Sequence, residues 1–371
     1  MPLYLNDDQN MLRDTARELM GAEGSIANQL RKYRDMECKD GFGHALWKQF
    51  GELGLTGILV DEADGGLGLG HVEAGIVLEE IGRNLTPSPF LVTAVAVVEA
   101  LRGTKLRERW LPGILAGETV AALAIDEGAK HRPEIIEARA ERSGNGFRLS
   151  GKKQFVVQGA SADVILVAAR SDEGITLFAV EKGAHGLDVE GVRLADSSIG
   201  ARMTFDGVEV DSDAVVGEVG GGEAVLKRVL NAGRAGASSE LVGLGSQAMA
   251  MTVDYLKQRK QFGKLIGEFQ ALQHRAAHLY SELEIARSAA IKAQQLLDEG
   301  AEDAELMVSV AKAKAGRTSA LAVQEGVQMH GGIGMTDEYD IGLYMKRDRV
   351  LNELFGDANY HADKVARMKG Y

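Results

Sequence analysis

The chain has 371 residues, 45% of them apolar and 26% charged, and a formal net charge of −12. That length suits two or three domains and that composition a soluble globular protein, while the acidic balance argues against nucleic acid or an anionic membrane as the main partner. The single cysteine, Cys38, excludes an intrachain disulfide and cannot by itself make a zinc site, and a free thiol fits a reducing cytoplasm.

The opening stretch MPLYLNDDQNMLRDTAREL is acidic and polar, without the basic-then-apolar order of an export signal, so a cytoplasmic location is expected. From Asp7 to Ala116 the apolar residues recur at three- and four-residue intervals, which predicts helices in QNMLRDTARELM, FGHALWKQFGELG and HVEAGIVLEEIGRNL. Two loops, DEADGGLGLG and TPSPF, punctuate them. The longest apolar run, FLVTAVAVVEAL, falls short of the ~20 residues that span a bilayer and reads as a buried helix.

Between Glu118 and Gly217 the pattern changes to short β-prone runs (FRLSG, VILVAAR, ITLFAVE, LDVEGV, RMTFDGVEV) separated by Gly, Asp and Ser turns. No helices intervene, so an antiparallel barrel or sandwich is expected rather than βαβ units. From Gly220 onward the helices return and are long. Leu241, Leu244, Ala248, Met251 and Tyr255 form one apolar stripe, and Leu272, Ala276, Leu279, Leu283 and Ala286 another. No proline follows Pro133, as uninterrupted helices require. Helices of this length usually form antiparallel bundles, which often associate with copies of themselves.

Two interruptions in this last zone carry groups suited to a phosphorylated ligand. In QRKQFGKLIGEFQALQH, Arg259 and Lys260 end one helix, Phe262 and Gly263 turn the chain, and Gln270 and Gln273 begin another. An arginine can make paired hydrogen bonds to phosphate and a phenylalanine can lie against a ring system, although from the spacing alone a basic helix end with a glycine cap is the plainer reading. In QMHGGIGMTDEY, glycines 331, 332 and 334 let backbone approach an anion closely, and His330 reads as a structural histidine.

A helical zone, a β insert, and a helical zone with RKQFGKLIGEFQ followed by QMHGGIGMTDEYDIGLYMKR together resemble the acyl-CoA dehydrogenase family over nearly the whole chain. LGLTGILVDEADGGLGLG in the first zone is similar to the family's loop of that form. The resemblance implies an α+β fold: an N-terminal α-helical domain (1–117), a middle antiparallel β-barrel domain (118–218) and a C-terminal four-helix bundle (219–371). It implies FAD as cofactor and α,β-dehydrogenation of an acyl-CoA thioester to the trans-2-enoyl-CoA. A carboxylate takes the α-proton and flavin N5 accepts the hydride. It further implies a homo-oligomer, or a heterotetramer with a homologous subunit, and electron-transfer flavoprotein as electron acceptor. The segments HGGIGMTDEY and LFGDANYHADK are similar to bacterial members acting on bulky or branched acyl-CoA esters, as in steroid or aromatic catabolism.

By position, the resemblance assigns Arg259, Lys260, Gln261 and Phe262 to the FAD diphosphate and adenosine end, held across a dimer interface. Gln270 and the stretch Gln328, Met329, His330, Gly331 and Gly332 complete that cofactor site. Arg234 falls near the acyl-CoA entrance or the loop that carries the base. Two departures stand out. The family's Trp-x-Thr against the flavin reads here as Phe155-Val156-Val157, which keeps an aromatic ring and loses a hydroxyl donor; AIDEGAKHRP retains only part of Thr-Glu-Pro-Gly. The family's base is a Glu just before a Gly in the loop entering the last helix, and here the pair is Gly356-Asp357. Other members place Glu just before the arginine matching Arg234, where this chain has Gly233. Asp357 is therefore the candidate base and Glu240 the alternative, while Asp after Gly at a helix entrance is also an ordinary N-cap. With neither usual glutamate present, a non-catalytic subunit that completes the FAD site of a catalytic homologue is the competing reading.

Overall fold

The computed structural model describes residues 3–371. Its helices are α1 (Asp7–Ala22), α2 (Lys32–Asp35), α3 (His44–Glu52), α4 (His71–Asn84), α5 (Val98–Leu101), α6 (Leu106–Leu115), α7 (Gly222–Gln258), α8 (Gln270–Asp298), α9 (Ala304–His330), α10 (Ile341–Glu353) and α11 (Ala358–Met368). The main strands are β1 (Ala121–Ala124), β2 (Arg139–Ser143), β3 (Gly146–Val157), β4 (Val164–Ser171), β5 (Gly174–Glu181), β6 (Leu187–Arg193) and β7 (Ile199–Asp211). The class is α+β, with a helical first region, a strand-rich middle and a helical bundle at the end. Two compact units divide the chain. One gathers the residues up to Asn28, His71–Thr86 and Arg234–Tyr371, the other Gln29–Gly70 and Pro87–Gly233.

In the second unit the strands form one seven-stranded sheet, ordered β1-β4-β2-β3-β7-β6 with β5 on β4. Most pairings are antiparallel, as the closely spaced runs predict. The sheet is nevertheless mixed, because β1 and β4 pair in parallel, Ala121 opposite Val164. Between them lies the long loop and the whole β2–β3 hairpin, enough chain for β4 to start again from the same end as β1. The pairings among the described residues run from β5 to β6 without joining those ends, so the barrel is half open. Alternate residues of the strands fill its core, where Phe147 and Phe178 lie 5.1 Å apart. The apolar run from Phe90 to Leu101 is helical and buried throughout, as its length predicts.

The first unit is a helical bundle. Within it α8 packs on α9, α9 on α10 and α11, α1 on α4 and α4 on α8. Leu241, Leu244 and Ala248 of α7 and Leu279, Leu283 and Ala286 of α8 are buried in the seams, whereas Met251, Tyr255, Leu272 and Ala276, at the ends of the predicted stripes, are only half-buried. Where α4 crosses α7 the backbones touch. A Cβ on Gly82 would stand 2.1 Å from the carbonyl oxygen of Glu240, and one on Gly243 1.9 Å from that of Glu79. The expected fourth helix of the bundle is split into α10 and α11 by residues 354–357, where Phe355 (φ +61) and Gly356 (φ +103) take left-handed backbone. Among the described residues, no helix is long and apolar enough to cross a membrane.

Candidate functional site

The break between α10 and α11 is built from buried charges. Asp357 is the N-cap of α11, its Oδ1 accepting from the Tyr360 backbone N–H at 2.7 Å. A cap of this kind satisfies one of the donors that the first turn of a helix leaves without partners. The two carbonyls just before Asp357 point into the bundle. Arg234 of α7, 2% exposed, donates from Nε to the Phe355 oxygen at 3.1 Å and from Nη2 to the Tyr360 hydroxyl at 3.3 Å. His361 Nε2 lies 3.1 Å from the same Phe355 oxygen. Lys312 of α9, with no exposed surface, donates to the carbonyls of Leu351 (3.2 Å), Asn352 (3.1 Å) and Gly356 (3.0 Å).

Burial, with the nearby Arg234 guanidinium, pushes the Lys312 ammonium down to about 7. On the facing turn of α10, burial pushes the Asp348 carboxyl up to about 6, against hydrogen bonds from Ser319 (2.5 Å) and Asn352 (2.9 Å) that favour its charged form. Glu240, the alternative base, is buried on α7, and Oε1 accepts from both Nε (2.9 Å) and Nη2 (2.5 Å) of Arg347. Such a pairing holds a carboxylate as a structural counter-ion.

At one end of the same bundle the two phosphate-type motifs come together. After α7, Arg259 leads into a two-residue hairpin, Lys260–Gln261 against Lys264–Leu265, with Phe262 at its tip 91% exposed and in left-handed backbone. An exposed phenylalanine beside three cations is the reverse of what a core needs. Gln270 opens α8 on the surface. His330 ends α9 and is buried, its ring 4.5 Å from that of Tyr255, one turn before Arg259, and 4.6 Å from that of Tyr339. Its Nδ1 donates to the Gly326 carbonyl at 2.7 Å. In the neutral ring Nε2 then accepts from the Tyr339 hydroxyl at 3.0 Å. Burial lowers the imidazole further, which keeps it neutral. Met329 is buried, whereas Gln328, Gly331 and Gly332 are exposed and nothing lies within 4 Å of where a Cβ on either glycine would stand.

In the second unit, Phe155 and its neighbours occupy a bulge. Three steps along β3 from Lys153 to Val156 face two steps of β7, and Phe155 takes φ +53. Val156 belongs to the sheet core, Val157 is buried and Phe155 half-buried. The AIDEGAKHRP loop is tied to this bulge. Buried Lys153 donates to the Ile125 carbonyl at 3.0 Å and to Glu127 Oε1 at 2.7 Å, and the Gln154 N–H to the Asp126 carbonyl at 2.7 Å.

The structure thus brings Arg234 to the loop that carries Asp357, and the helix end that leads into the Arg259 hairpin to His330. It gives Asp357 and Glu240 structural partners. Lys312, Asp348, Arg347 and His361 were not singled out from the sequence. For Lys312 a signal existed: it stands among Val308, Ala311 and Ala315 on the buried face of α9, where a charge is out of place.

The residues present fit FAD. The cation-bearing hairpin offers donors for a diphosphate, the open glycines offer close backbone approach, and exposed Phe262 offers a ring face. Among the described residues no group of side chains could hold a metal ion. Sequence profiles described as the acyl-CoA dehydrogenase N-terminal, middle and C-terminal domains match residues 6–118, 126–208 and 220–369. The chain is similar to mitochondrial isovaleryl-CoA dehydrogenase of Solanum tuberosum, 33% identical over 83% of this chain and 78% of that one. It is also similar to the solved structure of the steroid ACAD Tcur3481-Tcur3483, with a TM-score of 0.90 and 28% identity over 98% of each chain. The ChsE4-ChsE5 complex of Mycobacterium tuberculosis shares the fold, with a TM-score of 0.90 at 24% identity over 100% of this chain and 100% of that one.

Proposed function

The chain belongs to the acyl-CoA dehydrogenase family, FAD-dependent oxidoreductases that act on acyl-CoA, and we propose that it works in a heterotetramer whose homologous second chain supplies the base. The reaction is the α,β-dehydrogenation of an acyl-CoA thioester. FAD, when bound, supplies the hydride acceptor that no side chain can be.

One observation carries this reading. The residue before Gly356 is Phe355 and the residue before Arg234 is Gly233, so neither place where the resemblance puts a glutamate holds a carboxylate. The acid that does stand on the loop, Asp357, spends Oδ1 on the α11 cap. Glu240 is held by Arg347. What the chain contributes is then binding and orientation. Arg259, Lys260 and Gln261 would meet the FAD diphosphate, Phe262 would lie against the cofactor, and Gln270 and Gln328–Gly332 would complete the site with the neighbouring chain. Phe155–Val157 would line the flavin side, with backbone N–H groups in place of the lost hydroxyl. Phe355, an apolar residue on that loop, would help exclude water around the thioester. We propose electron-transfer flavoprotein as electron acceptor, and a bulky or branched acyl group as substrate; the likeness to a steroid ACAD and to an isovaleryl-CoA dehydrogenase supports that class.

A second reading has Asp357 itself as base, favoured by its place on the loop and by its incomplete burial. Expression alone and together with a homologous chain from the same genome separates the two. Flavin content and anaerobic bleaching by isovaleryl-CoA and a steroid-derived acyl-CoA are the measurements. Bleaching only by the pair supports the heteromer; a yellow homo-oligomer bleached without the second chain overturns it.

A further inference from the structure

Lys312 is out of place by the rules that build the rest of α9. It has no exposed surface, it shares a face with Val308, Ala311 and Ala315, and a methionine would fill the same volume without burying a charge. Its amine meets three carbonyl oxygens, Leu351 at 3.2 Å, Asn352 at 3.1 Å and Gly356 at 3.0 Å. Three acceptors use all three N–H bonds of an ammonium, so the arrangement is made for the charged form.

Those acceptors are not arbitrary. Leu351 and Asn352 lie in the last turn of α10, whose carbonyls have no onward N–H partners in the helix. Gly356 lies three residues past that helix, in the loop whose backbone is left-handed at Phe355 and Gly356. Lys312 therefore ties the end of one helix to the loop beyond it, from a third helix. Arg234 and His361 hold the next carbonyl back, that of Phe355, at 3.1 Å each. Two successive peptide groups are locked by side chains from α7, α9 and α11, which over-determines a strained turn. Gly356 leaves no slack, since a Cβ there would stand 2.5 Å from the Tyr360 ring.

We propose that Lys312 is a positioning residue for the reaction: its ammonium, with Arg234, sets the orientation of the Phe355-Gly356-Asp357 loop against the acyl-CoA. This rests on the reading above that the loop walls the substrate site. The groups facing the Lys312 amine are Arg234 from α7, Asp348 and Glu353 from α10, and Asp357 from the α11 cap.

The test is Lys312→Met in the FAD-loaded protein as purified, with its partner chain where one is required. Amide hydrogen exchange in residues 354–361 is expected to quicken about tenfold while α8 is unchanged. With isovaleryl-CoA as probe, kcat is expected to fall about a hundredfold and KM to move less than about threefold. Lys312→Arg, which keeps a buried cation, should restore part of both. Unchanged exchange in 354–361 overturns the proposal, as does loss of protection spread evenly over the bundle. If Lys312→Met does not fold, Lys312→Gln, which keeps fewer donors for the three carbonyls, decides the matter: exchange in 354–361 must quicken relative to α8. Failure to turn over any acyl-CoA, with the loop responding as described, overturns the functional reading of the loop and leaves the role of Lys312 in holding it.

Discussion

Arg234 Nε donates to the carbonyl oxygen of Phe355 across 3.1 Å and 121 residues of sequence. The guanidinium is planar and almost fully buried, and its Nη2 reaches the Tyr360 hydroxyl while its centre lies 5.5 Å from the Tyr360 ring. One side chain thus clamps the residue before Gly356 and the first turn of the last helix. Arg234→Lys keeps the charge but cannot form that fork, and it should cost about 2–3 kcal/mol. Urea unfolding is the check: the midpoint should fall with the slope unchanged. A shift below about 0.5 kcal/mol would show that the clamp is redundant with His361.

Asp357 offers a clean separation of cap from base. Asparagine caps as well as aspartate, whereas alanine does not. Asp357→Asn should therefore leave stability within about 0.5 kcal/mol of the parent, and Asp357→Ala should lose about 1 kcal/mol. In the two-chain assembly, Asp357→Asn should leave the rate of flavin bleaching by acyl-CoA within about threefold. A loss of about a thousandfold would instead assign proton abstraction to Asp357.

How much of this was legible in the sequence follows from which physical signals are periodic. The long stripes of α7 and α8 and the closely spaced strands announced the two kinds of layer, because burial repeats every 3.6 or 2 residues. Arg259 and Gly331 were legible as motifs because their neighbours are contiguous in the chain. The parallel pairing of β1 with β4 was not, since it depends on where a long connection returns. Nor was the clamp on the loop legible: Lys312 and Gly356 are 44 residues apart, and no local pattern says that an out-of-place lysine faces a helix end. The cap role of Asp357 was open from residue type alone and needed the Tyr360 N–H to be placed.

The two shifted groups near the loop give opposite pH slopes. Lys312 falls from 10.5 to about 7, so the unfolded chain binds more protons between those values. Its contribution to stability should rise as pH goes from about 7 toward 10.5 and level off below 7. Asp348 rises from 3.8 to about 6, so the folded chain binds more protons there, and its contribution should be greatest below 3.8 and lost as pH climbs through 6. Asp348→Asn keeps the acceptor for Ser319 and Asn352 and removes the buried charge. It should flatten the acid-side slope and stabilise the protein at pH 8 by up to about 3 kcal/mol. Denaturant midpoints at pH 4, 6 and 8 for parent and variant provide the comparison. An Asp348→Asn profile parallel to the parent from pH 4 to 6 would remove Asp348 from the account.

His330 tests the proposed cofactor end of the bundle without touching the loop. The ring is packed between Tyr255 and Tyr339 and joins the Gly326 carbonyl to the Tyr339 hydroxyl. Phenylalanine would keep the packing and drop both side-chain hydrogen bonds; the Gly326 carbonyl keeps its helical N–H partner within α9, so the cost should be about 0.5–1.5 kcal/mol per lost bond. The turn Gly331–Met335 hangs from this histidine and carries no other buried residue than Gly334. The loss should therefore appear first as faster exchange of the turn and weaker FAD retention on gel filtration, ahead of any change in global unfolding. Acid should mimic the substitution. The imidazole is held below its ordinary value by burial, so the unfolded chain takes up the proton first and the His330 contribution is lost as pH falls below about 6.5. FAD released on mild acidification by the parent but not further by His330→Phe would tie the two effects to this one ring. Equal acid sensitivity of parent and variant would place the sensitive group elsewhere.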